Sequence, residues 1–269
     1  MSFNTDVRQS LLIESLRKKP YIHVPFPINH ADLQKAILSF FQFLELPDSI
    51  KNHINLKISP MHRRGEIGFT HRDPDDNIYN DSKDFFHFHP LIFEKYGDFL
   101  GEQPAVREFM NQAKPIWQAT YNTVYRIMQD FEVSYPEAVS KIFDTADVHI
   151  ILRFLKYNWP LSGKYLAKPH FDAGSFTLAI AESCPGLRIG TNPNDLEAVQ
   201  NEANKAIFMI SSNFQKILGT DEFLPGWHDV VQLDKTKIGK PLARWAIVAF
   251  IEGHNVSALP RSETHKWYA

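Results

Sequence analysis

The chain has 269 residues, 29 basic and 31 acidic side chains, a formal net charge of −2 and 43% hydrophobic content, the composition of a folded protein with its own core. At this length roughly three quarters of the unfolded surface is buried on folding, so disulfide staples are not needed, and the near-neutral charge argues against a nucleic-acid partner. No run approaches the ~20 apolar residues that span a bilayer, the polar stretch Met1–Ser10 lacks a signal-peptide core, and the single cysteine, Cys184, has no disulfide partner. Membrane and disulfide-rich classes are therefore excluded, and a reducing cytoplasm is the expected location.

In chain order, Tyr21-Ile22-His23-Val24-Pro25 reads as a short strand rich in β-branched and aromatic residues. A helix follows Asn29-His30, with Leu33, Ala36, Ile37, Phe40, Phe41 and Leu44 on one face and Pro47 closing it. Met61 to Asp84 holds many charges, two glycines and one proline and reads as a long loop, of the kind that serves as a functional lid or is disordered. A long helix is expected from Pro104 to Phe131, its apolar face carrying Val106, Phe109, Ala113, Ile116, Trp117, Thr120, Val124, Ile127 and Phe131. Pro115 inside it should kink or split it.

After Pro136 the pattern changes. Residues 148–156, 175–182, 206–211, 228–233 and 244–251 are short apolar or alternating runs separated by turn formers, as in an antiparallel sandwich or barrel. With no repeat and no linker, the chain reads as one domain of α+β type, mainly β with helices. Its parts are a helical region of about 1–147, a β-rich core of about 148–252 and a tail of 253–269.

Pro169-His170-Phe171-Asp172-Ala173-Gly174 carries the chemistry. On extended backbone His170 and Asp172 project to one side and can share an ion, while Phe171 points away. His228, 56 residues after Asp172, opens another apolar run and completes the set if adjacent strands bring it across. Two histidines and one carboxylate on one face of an ion leave positions open and select non-haem Fe(II) with oxygen chemistry. Arg244 opens the last apolar run, and an arginine fork inside a barrel is suited to a carboxylate.

These elements fall in the order of a known pattern. The chain resembles the isopenicillin N synthase-like branch of the 2-oxoglutarate/Fe(II)-dependent dioxygenases: His-x-Asp, about fifty-five residues, His, then Arg-x-Ser. Further likeness lies in Leu152 to Pro160, Pro185 to Ile189 and Ile207 to Asn213. The N-terminal half adds Phe40 to Pro47, Arg64 to Phe69 and Asp81 to Phe86. The resemblance spans about residues 20 to 252. It implies a double-stranded β-helix (jelly roll) with helices outside, His170, Asp172 and His228 as iron ligands, Arg244 on the distal carboxylate of 2-oxoglutarate, and Tyr157 as a second cosubstrate contact. It further implies Fe(II), 2-oxoglutarate and O2 as cofactor and cosubstrates, with ascorbate as a stimulant. The expected reaction is oxidation of a small-molecule substrate with release of succinate and CO2.

The departures are specific. Ala246 stands where the family has serine, the gap of 16 from His228 to Arg244 implies a long hairpin, and Ser212-Asn213 replaces a Gly-Asp pair. Ala246 keeps open an iron oxidase of the same family that uses no 2-oxoglutarate, with Arg244 holding a substrate carboxylate. A non-catalytic binding module on the same scaffold is the third reading. His87 and His89 form a rival His-x-His pair lacking a recognisable third ligand. Cys184 reads as a buried small residue, and His254 and His265 as residues of a solvated or lid-forming tail. Neither substrate nor oligomeric state can be read from the chain.

Overall fold

The computed structural model describes residues 3–58, 66–73, 81–144, 149–158 and 165–253. The N-terminal part supplies α1 (Phe3–Lys18), β1 (Tyr21–Pro25), α2 (His30–Leu44), α3 (Asp48–Lys51), β2 (Asn55–Lys57), β3 (Glu66–Arg72) and β4 (Lys83–Phe88). Then come α4 (Leu91–Lys95), α5 (Gly97–Glu102), α6 (Pro104–Glu132) and α7 (Ser140–Phe143). The C-terminal part contains β5 (Ile150–Tyr157), β6 (Tyr165–His170), β7 (Phe176–Glu182), β8 (Leu187–Gly190), β9 (Glu197–Ala198) and β10 (Lys205–Ile210). It ends with α8 (Phe214–Leu218), β11 (Trp227–Val231) and β12 (Arg244–Ile251).

All pairings are antiparallel. One sheet has the order β1-β10-β7-β12-β5-β4-β3-β2, the other β6-β11-β8-β9. Strands β5 and β12 of the large sheet show the two-residue period. On β5, Leu152 and Phe154 join the main hydrophobic core while Arg153, Leu155 and Tyr157 face a cavity. On β12, Trp245, Ile247, Ala249 and Ile251 face that core, and Arg244, Ala246, Val248 and Phe250 face the cavity.

The helices cover the core face. Asn29 caps α2 by accepting the Asp32 N–H at 3.0 Å, and its helix buries Leu33, Ala36, Ile37, Phe40 and Phe43. Phe109 of α6 meets Phe40, Phe43, Phe86 and Phe154 at ring-centroid distances of 5.0–5.4 Å, the aromatic seam between helices and sheet. Every residue expected on the apolar face of α6 is buried.

Four sequence expectations change. Pro115 does not split α6, which runs unbroken. It and Asn111, whose carbonyl loses its partner, both lie on the exposed side, where water satisfies the freed oxygen. The expected loop from Met61 to Asp84 contains β3 and the start of β4; residues 61–65 and 74–80 of it lie outside the described residues, as do His254 and His265. The helical N-terminal part also contributes four strands to the large sheet, and α1 was not foreseen. The link from His228 to Arg244 is not a hairpin, because β11 and β12 belong to different sheets. Among the described residues no helix is long and apolar enough to cross a membrane.

Candidate metal centre

The cavity, about 700 Å³, lies between the two sheets. Space arises because its walls carry small inward residues, among them Thr177, Ala179 and Ala246, where a core strand would place leucine or phenylalanine. At one end of it β11 pairs with β6 so that His228 stands directly opposite His170. Asp172 lies two residues beyond the end of β6.

His170 Nε2 lies 3.6 Å from Asp172 Oδ1, and His228 Nε2 lies 3.7 Å from Asp172 Oδ2. The three donor atoms all fall within 4.8 Å of one another, making the triad the candidate metal cluster of the described residues. Both imidazoles are held by the backbone: His170 Nδ1 is 2.7 Å from the Lys168 carbonyl, and His228 Nδ1 is 3.2 Å from the Gly226 carbonyl. A carbonyl can only accept, so each Nδ1 carries a proton, and it is Nε2 that presents the lone pair when the ring is neutral. The carboxylate is oriented too. Thr177 Oγ1 donates to Asp172 Oδ2 at 2.7 Å, and the Asp172 carbonyl accepts from the Ser212 N–H at 3.1 Å and its hydroxyl at 2.8 Å. Asn213 anchors the same turn through the Ala173 and Gly174 carbonyls. The Ser212-Asn213 departure thus fastens the ligand loop.

Two neutral imidazoles and a carboxylate, convergent from one side with the other side opening on the cavity, fit a non-haem Fe(II) ion. β11 is itself pinned. Arg188 of β8 makes a bidentate pair with the fully buried Asp229, at 2.8 and 2.5 Å, fixing the strand that carries His228.

Arg244 and Tyr157 face the cavity on adjacent strands, opposite each other in the β12–β5 register, with Lys83 next in line on β4. Arg244 and Lys83 lie 5.7 and 5.8 Å from the Tyr157 ring centroid. Burial, tempered by the Arg244 charge, pushes the Tyr157 phenol above its ordinary range. Arg244 forms a buried ion pair with Glu182 of β7 and also donates through Nε to the Cys184 carbonyl at 3.2 Å. Sequence reasoning missed Glu182, whose only signal is a carboxylate closing an otherwise apolar strand. It also missed Lys83, whose buried ammonium pairs with Asp81. Desolvation lowers that ammonium to about 8 against the supporting charge of Asp81.

His87 and His89 are engaged separately. His89 Nδ1 accepts the Leu91 N–H at 3.3 Å and its ring stands edge-on to Trp117, while His87 bonds Arg153. Cys184 is half-buried rather than buried.

No family model and no curated protein matches this chain. Solved structures do. A full-length Neurospora crassa protein in complex with alpha-KG and thymine superposes with a TM-score of 0.70 at 17% identity, covering 97% of this chain and 85% of that one. The dioxygenase for auxin oxidation 1 from Arabidopsis thaliana, as its 2-oxoglutarate complex, gives 0.67 at 16% identity, covering 97% and 93%. JOX2 in complex with 2OG, Fe and JA gives 0.67 at 17% identity, covering 96% and 75%. The chain shares its fold with these proteins.

Proposed function

We propose that this chain is an Fe(II)- and 2-oxoglutarate-dependent oxygenase of a small molecule, built on a double-stranded β-helix. One observation carries the reading: two imidazoles, each held through Nδ1 by a backbone carbonyl, converge through Nε2 with a hydrogen-bonded carboxylate at the wall of a cavity large enough for two small ligands. The likeness to structures holding 2-oxoglutarate supports it. His170, Asp172 and His228 would hold Fe(II), which when bound supplies activation of O2 coupled to oxidative decarboxylation of 2-oxoglutarate. The residues of the chain prepare this chemistry. The backbone carbonyls of Lys168 and Gly226 keep the imidazoles in the ligating tautomer, Thr177 aims the carboxylate, and the enclosing sheets exclude water. In this reading Arg244, which faces the cavity, receives the distal carboxylate of 2-oxoglutarate. Its guanidinium has five N–H donors, so Glu182 and a second carboxylate can share it.

The test is anaerobic titration of the apoprotein with Fe(II) and 2-oxoglutarate. The proposal expects a visible charge-transfer band that requires both additions and is absent in His228→Ala. Failure of the parent to show it with bound iron overturns the cosubstrate. A second reading has its own observation: the Arg244–Glu182 pair and Ala246 leave the arginine already neutralised, as in an iron oxidase that uses no 2-oxoglutarate. That enzyme would turn over substrate without succinate.

A further inference from the structure

A second organised polar group lies in the cavity, on β4 and β5, and its assignment to a substrate rests on the oxygenase reading. Arg153 is 8% exposed and lines the cavity. Its guanidinium lies 4.5 Å from the ring centroids of both Phe85 and Phe250. Its Nε donates to His87 Nε2 at 2.8 Å, and His87 Nδ1 lies 2.8 Å from the Glu66 carbonyl. An arginine can only donate, so His87 must be the neutral ring with its proton on Nδ1, given to that carbonyl. A guanidinium held by two rings and a histidine cannot swing like a surface arginine. The clamp acts on Nε and the ring contacts, whereas a planar carboxylate engages the Nη pair.

The group sits toward the metal end. Phe250 pairs with Thr177, which holds Asp172. Arg153 stands opposite Val248, four residues along β12 from Arg244, a backbone separation of about 13 Å. A second guanidinium, Arg72, lies 5.3 Å from the same Phe85 ring and shares its charge with Asp81 at 3.8 Å. Further along the same sheet, on β7 and β10, the lining is apolar, with Ala179, Ile207 and Met209.

We propose that Arg153 is the substrate-recognition residue, that the substrate is a small organic carboxylate with an apolar body, and that His87 is a positioning residue acting through Arg153.

Equilibrium dialysis under nitrogen, with Fe(II) and saturating 2-oxoglutarate on the full chain, tests this. The probes are phenylacetate and hexanoate, each against its neutral amide. The parent should hold at least one carboxylate about tenfold or more tighter than its amide, the size of one charge-assisted pair. Arg153→Gln should erase that difference while amide binding changes less than about twofold. His87→Leu should weaken the carboxylate several-fold, and His87→Gln, whose amide oxygen can still accept from Nε, should restore it. A role in packing alone would not move the carboxylate–amide difference. The proposal is overturned if neither carboxylate is preferred, if the preference survives Arg153→Gln, or if carboxylate and amide fall together. Absence of 2-oxoglutarate binding in the same cell, with probes still sorted by Arg153, would remove the oxygenase reading and leave this one standing.

Discussion

Arg244 and Glu182, 62 residues apart in the chain, form a buried ion pair across β12 and β7. The arginine proposed to take the cosubstrate therefore already has an anion beside it. Glu182→Gln removes the competing charge and should tighten 2-oxoglutarate binding by about tenfold, the effect of relieving one like-charge contact. An unchanged dissociation constant would mean that Arg244 is structural, and the iron-oxidase reading would lead.

Arg244→Leu should weaken 2-oxoglutarate binding while leaving iron affinity intact. It also strands Glu182 inside the protein, so unfolding should become easier by about 3–5 kcal/mol. Arg244→Leu with Glu182→Leu should recover most of that stability without recovering 2-oxoglutarate binding, as denaturant unfolding and calorimetric titration would report.

Asp172→Ala and His228→Ala should lose Fe(II) binding and remain folded, because the triad borders a cavity rather than the aromatic seam. Circular dichroism and metal analysis decide this. Collapse of the fold would count against the site. Thr177→Val leaves the three ligands in place but frees the carboxylate to rotate, and should lower iron affinity about 10- to 100-fold.

Tyr157→Phe keeps the ring between Lys83 and Arg244 and removes only a hydroxyl, so 2-oxoglutarate binding should change about tenfold or less. A larger loss would make the hydroxyl a direct cosubstrate ligand.

Lys83 gives a pH signature. Its folded value of about 8 lies below the 10.5 of a free lysine, chiefly through burial, so the unfolded chain binds more protons between these limits. Stability from this group should therefore rise as pH climbs from 8 toward 10.5, and that gain is gone once pH has fallen back to 8. Denaturant midpoints across that range should show a steeper rise in the parent than in Lys83→Met. Parallel curves would refute the assignment.

What the sequence determined by itself was whatever a local period or an ordered motif encodes. The apolar stripe of α6, the helix that follows Asn29-His30, the β runs that became β5, β7, β10, β11 and β12, and the order His170, Asp172, His228 were all legible. Tertiary structure decided the charges. β12 and β7 slip by one residue between Ile247 and Val248, so Ala246 faces Glu182 while Val248 faces Ala179. That bulge reverses the alternation of β7 and turns Glu182 inward toward Arg244, against the parity that Thr177 and Ala179 obey. No local period records a slip in pairing with a strand more than sixty residues away. The same holds for His87, whose His-x-His spacing suggested a metal, and whose actual partner, Arg153, meets it only because β4 and β5 lie side by side.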